Sequence, residues 1–197
     1  MASRWHWFLG LGTASGLLAG ALLVFCHIGD FSAPEVAGYC FGLRVSSRCD
    51  GVDGTFYLVP GTIFGLVFAG ALLAYRQMDF GRAIAFAAAS GAANSVAVFL
   101  CVWLTDRLSE ALDIDFLKLP MAIAGAIAGA AGGALLGRVA ASLFPGFRLW
   151  RSVIAASALG LLAPLVMTWE VAVVFLFYIA WLGGYAAVLA ATLPARA

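Results

Sequence analysis

The sequence predicts an all-α polytopic membrane protein: six transmembrane helices in a tightly packed Gly- and Ala-rich bundle, forming one domain over residues 1–197. Of the 197 residues, 64% are hydrophobic and 11% are charged, whereas about a quarter are charged in soluble domains. Uncharged runs of roughly 20 residues recur, and helices of that length span a hydrocarbon core about 30 Å thick. Glycines recur every four residues in several runs, which lets neighbouring helices approach closely in lipid.

The first four helices are predicted from runs that lack Asp, Glu, Lys and Arg, over residues 8–28, 56–75, 83–104 and 119–137. The next apolar stretch, from Ser152 to Pro194, is about twice as long as one crossing requires and contains a single charge, Glu170. A turn at Glu170 divides this stretch into a fifth helix over 152–167 and a sixth over 171–193. Pro164 is expected to kink the fifth helix, because proline lacks the N–H that a helix interior uses.

Basic residues alternate between the connections and predict the orientation, because cytoplasmic loops retain Lys and Arg. The side expected to be cytoplasmic carries one acidic residue, Asp79, and seven basic residues: Arg4, Arg76, Arg82, Arg138, Arg148, Arg151 and Arg196. The other side holds most of the acids and two outer loops, over about 29–55 and 105–118. The sequence therefore predicts a multi-pass protein of the cell (inner) membrane with cytoplasmic N and C termini.

Two glycine series are expected to hold the bundle together. The first helix carries Gly12, Gly16 and Gly20, and the fourth carries Gly125, Gly129, Gly133 and Gly137. Residues four apart lie on one face of a helix, so each series forms a shallow groove for a neighbouring helix. The longer series predicts that the fourth helix lies at the centre of the bundle. The same faces are candidate contacts for another membrane subunit.

Polar and aromatic side chains at membrane depth are candidate ligand-binding residues, because an unpaired polar group is costly there. The candidates are His27 near the outer end of the first helix, Ser90 and Asn94 on one face of the third, and Tyr178, Trp181 and Tyr185 on one face of the sixth. Together they predict a small-molecule pocket that opens to the extracytoplasmic side. The alternative is structural: the rings fill space, and the serine and asparagine hold helices together.

The four cysteines fall on the outer side of the predicted topology, where an oxidising compartment permits disulfides. We expect Cys40 and Cys49 to pair within the first outer loop, with a bond between Cys26 and Cys101 as the alternative. A second alternative is a soft-metal site for copper(I), formed by Cys26, His27, Cys101 and Met167. The spacing of these residues matches no motif, so neither a metal nor another cofactor is predicted.

The sequence carries no signature of an enzyme, and no catalytic residue is predicted. It contains neither a G-x-x-x-x-G-K-[ST] phosphate loop nor an H-E-x-x-H zinc motif, and no C-x-x-C pair for thiol redox chemistry. The 11 Lys and Arg residues against 10 Asp and Glu leave a net charge of +1, without the basic excess that nucleic-acid binding requires. We therefore expect membrane lipid, and no nucleic acid, among the partners.

The layout of the chain resembles that of the substrate-binding subunits of energy-coupling factor transporters. The shared features are six helices within 197 residues, both termini inside, a long first outer loop and a second outer loop after the third helix. The resemblance implies that small residues of the first helix, here Gly12, Gly16 and Gly20, dock onto a transport module; it identifies no ligand residue. The leading hypothesis is a small-molecule binding or uptake component. The alternatives are a non-catalytic accessory, assembly or immunity-type subunit of a larger complex, and an oligomeric channel.

Overall fold

The structure, a computed structural model, describes residues 2–25, 53–74, 78–112, 118–168 and 171–192. These stretches form six helices and contain no strand, which confirms the all-helical prediction. The first four helices are α1 (Ala2–Phe25), α2 (Asp53–Ala74), α3 (Phe80–Leu112) and α4 (Lys118–Leu143). Helix α5 (Leu149–Gly160) is followed by a 3-10 turn, Ala163–Thr168. Helix α6 is continuous in three parts, which are α-helical Val171–Tyr178, π-helical Ile179–Gly183 and α-helical Gly184–Thr192.

The six helices run up and down and close into a ring. Each helix packs against its neighbours in sequence, and α1 packs against α6 to complete the circle. Helix α4 therefore lies in the wall between α3 and α5, and the expectation that it occupies the centre is wrong. The physical reason is that its glycine face is covered by one neighbouring helix, α5, which is enough to bury it.

The seam between α4 and α5 is formed by two stripes of small residues. A Cβ atom on Gly129 would collide with the carbonyl oxygen of Ala156, and one on Gly133 would lie 2.6 Å from the Ala156 Cβ. Gly125 and Gly137 meet α5 in the same way, near Gly160 and Leu149. The two backbones are thus in direct contact, which is the packing that small residues four apart allow in lipid.

The glycine series of α1 faces α6. A Cβ atom on Gly16 would lie 2.6 Å from the carbonyl oxygen of Tyr178, and one on Gly12 would lie 2.7 Å from that of Leu182. Gly20 faces the ring of Phe175. The π-helical turn of α6 packs on this face, so the glycines that the family resemblance assigns to a transport module are covered by the chain's own last helix.

Helix α3 is longer than the predicted span 83–104. Asp79 caps its first turn, because its Oδ1 accepts a hydrogen bond from the Arg82 N–H at 2.8 Å. At its other end α3 continues to Leu112, so the predicted outer loop over 105–118 is wrong for most of its length. The prediction ended the helix where charges begin, but charges limit a membrane crossing without ending a helix. Arg107 and Glu110 in fact pair within this extension, at 3.1 Å.

Helix α5 tightens where Pro164 was expected to disturb it. The α-helical part ends at Gly160. The backbone hydrogen bonds that follow join residues three apart instead of four; for example, the Leu162 N–H donates to the Leu159 carbonyl oxygen at 3.0 Å. Proline has no N–H for an α-helical bond, so the chain continues as a 3-10 turn. The 3-10 segment is narrower than the α-helix before it, but it remains part of the ring.

A cluster of aromatic rings fills the inside of the ring toward one end, and we call it the aromatic plug. It contains Phe8, Phe64, Phe68, Phe86 and Tyr185, all buried. The ring centroids lie 5.0 Å apart for Phe8 and Phe68, 5.7 Å for Phe68 and Phe86, and 6.0 Å for Phe64 and Tyr185. Arginines lie at the helix ends beyond the plug, so we call this side the arginine end: Arg82, Arg138, Arg148 and Arg151.

Two of the helices are long and apolar enough to cross a membrane by length and composition. They are Phe80–Leu112 and Lys118–Leu143, each with a mean hydropathy of 1.8 over its best window. Shorter apolar helices occur over Leu58–Ala74, Leu149–Leu165 and Phe175–Ala191.

Candidate functional site

The described residues border two adjoining cavities, each of them partly open. The central chamber has a volume of about 50 Å³ and lies in the middle of the ring, bordered among others by Ser90, Asn94, Trp181 and Tyr185. The second cavity has a volume of about 60 Å³ and lies farther from the arginine end, between α3, α4 and α6; we call it the end chamber. Asn94 and Trp181 border both, so they form the partition between the two chambers.

Small residues create the central chamber. Gly61 of α2, Ala93 of α3 and Gly132 of α4 border it. Both glycines lie against α3: a Cβ atom on Gly61 would collide with the Asn94 side chain, and one on Gly132 would lie 3.0 Å from the Ala97 Cβ. The cavity is therefore a consequence of the small-residue pattern, because helices that pack closely through glycine leave room where no side chain projects.

Two hydrogen-bonded links tie helices together around the central chamber. The Ser90 hydroxyl donates to the Gly61 carbonyl oxygen at 2.7 Å, joining α3 to α2. The Ser152 hydroxyl donates to the Gly133 carbonyl oxygen at 3.0 Å, joining α5 to α4. Since that serine has only one proton, the Tyr185 hydroxyl is the donor in its 2.5 Å bond to Ser152. The second link thus connects three helices.

The end chamber is mainly apolar. Val98 of α3, Met121 of α4 and Phe177 of α6 border it, and the half-buried free thiol of Cys101 lies in its wall. Tyr178 also borders the chamber, is only 6% exposed, and packs edge-on against Phe177 with ring centroids 5.2 Å apart.

The Tyr178 hydroxyl differs from the other buried hydroxyls. It has no hydrogen-bond partner within the part of the chain that the structure describes. Every side-chain N or O atom among those residues that is completely inaccessible to solvent has a hydrogen-bond partner. Because the Tyr178 hydroxyl has none, its oxygen must retain some accessible surface. Tyr178 borders the end chamber, so a molecule bound there would lie beside this residue.

The structure brings five of the six predicted ligand-binding residues to the two chambers. Ser90, Asn94, Trp181 and Tyr185 border the central chamber, and Tyr178 borders the end chamber. The sixth, His27, lies outside the described residues, as do Cys26, Cys40 and Cys49. The role of the histidine and the disulfide between Cys40 and Cys49 remain predictions.

Sequence reasoning missed the role of Ser152. It placed Ser152 at the start of the predicted fifth helix and gave its hydroxyl no role, yet the hydroxyl links Gly133 to Tyr185. The available signal was a serine, rather than alanine or glycine, within a stripe that faces another helix. Met121 and Phe177 of the end chamber were also missed, because isolated apolar residues in an apolar helix carry no signal of a cavity.

Metal ligands do not cluster in the described ranges, where no group of three or more His, Cys, Asp or Glu side chains is arranged to hold an ion. Of the soft-metal set considered from the sequence, Cys101 is the member whose side chain the structure describes.

Comparison with known protein families, curated proteins and solved structures finds no match to this chain. The function is therefore argued from the geometry of the two chambers.

Proposed function

We propose that this chain is an integral membrane protein that binds a small molecule inside its helix ring and acts as a binding or uptake component. The observation that carries this proposal is the pair of adjoining chambers within the ring, with Asn94 and Trp181 between them. A mostly apolar cavity with a few polar groups is the usual form of a small-molecule site. In the proposed orientation the arginine end is cytoplasmic and the end chamber lies toward the outer side.

The outside of the ring supports a membrane location. Large apolar side chains point away from the bundle, with exposed fractions of 59% for Leu66, 57% for Phe99 and 61% for Leu176. Such residues recur on all six helices, whereas soluble monomers rarely expose large contiguous apolar patches. The exposed charged pairs lie at helix ends, as for Asp79 with Arg82 and Arg107 with Glu110. An apolar belt between charged ends suits a bilayer.

The size of the chambers limits the ligand. A buried water needs about 10–15 Å³ of such space, so volumes of about 50 Å³ and 60 Å³ each correspond to roughly four water positions. We infer a ligand of fewer than about ten non-hydrogen atoms in this conformation. This is smaller than a vitamin, so the layout resemblance to energy-coupling factor subunits does not extend to the ligand.

A second candidate function is a non-catalytic accessory subunit of a larger membrane complex. The observation that favours it is that the hydroxyls of Ser90 and Tyr185 are both used to join helices. In that case the central chamber is a by-product of glycine packing. A partner subunit would dock on the outer surface, because the glycine faces of α1 and α4 are already covered.

Native mass spectrometry of the full chain, gently extracted from its membranes, tests the proposal. We expect a reproducible small-molecule adduct that disappears in Ala97→Leu, because Ala97 is buried and borders both chambers. The matched control is Val96→Leu on the lipid-facing side of the same helix, where the residue is 43% exposed. A stoichiometric protein partner without any adduct would favour the accessory subunit and contradict binding.

A further inference from the structure

We propose that the end chamber selects a small, mostly apolar molecule that carries one hydrogen-bond acceptor oxygen, and that the Tyr178 hydroxyl donates to this oxygen. The inference rests on the proposed function, since it treats the end chamber as part of a binding site. It adds the chemical class of the ligand and the residue that recognises it.

The lining of the end chamber determines the apolar character of the ligand. Val98, Met121 and Phe177 present hydrocarbon, thioether and aromatic surface to the cavity. Asn94, at the partition, already has interactions of its own within the bundle. A charged or strongly polar molecule would lose its hydration there without adequate replacement, which is unfavourable. The lining therefore favours an uncharged molecule.

The Tyr178 hydroxyl supplies the specificity. Leaving a hydroxyl without a partner in an apolar site is unfavourable, and a ligand oxygen that accepts its proton removes that penalty. A hydrocarbon of the same shape cannot do so. Removal of the hydroxyl is then expected to weaken binding of the oxygen-bearing molecule, relative to the hydrocarbon, about five- to tenfold, the factor that one neutral hydrogen bond supplies.

The surrounding helix holds Tyr178 in place. The residue is the last of the first α-helical part of α6, directly before the π-helical turn Ile179–Gly183. Its carbonyl oxygen lies against Gly16 of α1, where a Cβ atom would approach to 2.6 Å. π-helical turns are rare and occur frequently at functional sites. Here the turn lies between Tyr178 at the end chamber and Tyr185 at the central chamber, and Trp181 within it borders both chambers.

The test compares cyclopentanone with cyclopentane, two rings of equal size that differ by one oxygen. The melting temperature of the full chain in detergent is measured against the concentration of each probe, since a ligand that binds the folded state raises it. Val98→Phe fills the end chamber without reaching the central one, and it also controls for the effect of each probe on the micelle. Met121→Phe serves the same purpose if that variant does not fold.

We expect saturable stabilisation of the unaltered chain by cyclopentanone. Because the ketone loses more hydration than the hydrocarbon on binding, the ratio of the concentrations at which the two probes act in the unaltered chain is the reference. Tyr178→Phe should weaken cyclopentanone about five- to tenfold relative to cyclopentane, and the filled variant should respond to neither. A ratio that Tyr178→Phe leaves unchanged would overturn the inference. So would the absence of saturable stabilisation, or an identical response of the filled variant. An adduct that is lost in Ala97→Leu would leave the proposed function standing in each of these cases.

Discussion

The arginine half of the ring and the half that contains the end chamber are made by the same helices but differ in how their interiors are filled. In the arginine half the aromatic plug closes the centre, and Tyr185 is bonded to Ser152. In the other half a cavity remains, and the hydroxyl of Tyr178 has no partner among the described residues. The two tyrosines lie seven residues apart on α6. This difference accords with the proposed function, in which one half supplies stability and the other binds the ligand.

The largest loss of stability is expected from a substitution that separates α4 from α5, because both halves of the ring share this seam. Gly129→Leu places a side chain against the backbone of Ala156, and the contact leaves no room even for a Cβ atom. We expect a loss of about 3 kcal/mol or more in the free energy of unfolding, seen as a collapse in extracted yield and in melting temperature. The control is Gly70→Leu, because a Cβ atom on Gly70 meets nothing within 4 Å among the described residues. Equal behaviour of both variants would contradict a close α4–α5 seam.

The next largest effect should come from the aromatic plug. Phe68 is 2% exposed and its ring contacts those of Phe8, Phe64 and Phe86. Phe68→Ala is expected to cost about 3–5 kcal/mol, the range for a buried phenylalanine. Phe99→Ala changes a ring on the outside of the bundle that is 57% exposed and should cost far less. Chemical or thermal unfolding in detergent measures both, and similar losses would show that the arginine half is not the stable half.

The sequence predicts the helices well because the relevant physics is local. An uncharged run of sufficient length must be helical in lipid, and glycines four apart must share a face, whatever the rest of the chain does. These arguments anticipated that Gly129 and Gly133 would contact a neighbouring helix, and the structure shows that this helix is α5. They also located five of the residues that border the chambers: Ser90, Asn94, Tyr178, Trp181 and Tyr185.

Other features depend on contacts between distant parts of the chain and could not be predicted. The wall position of α4 follows from the closure of α1 against α6, which no local pattern encodes. The bond between Ser152 and Tyr185 joins residues 33 apart on different helices. The π-helical turn Ile179–Gly183 was also not predicted, and Tyr178 and Tyr185 on either side of it border different chambers.

The smallest effects give the sharpest comparison, because Tyr178→Phe and Tyr185→Phe each remove one oxygen from the same helix. Loss of the Tyr185 hydroxyl removes its bond to Ser152, and we expect a cost of about 1 kcal/mol. Loss of the Tyr178 hydroxyl breaks no bond among the described residues, so stability without ligand should change by less than about 0.5 kcal/mol in either direction. Ligand response should show the reverse order: Tyr178→Phe should weaken cyclopentanone relative to cyclopentane, and Tyr185→Phe should leave that ratio unchanged. Unfolding measurements with and without each probe test both orders. Equal loss of stability in the two variants would mean that the Tyr178 hydroxyl has a structural role, and the division between a stable half and a binding half would then fail.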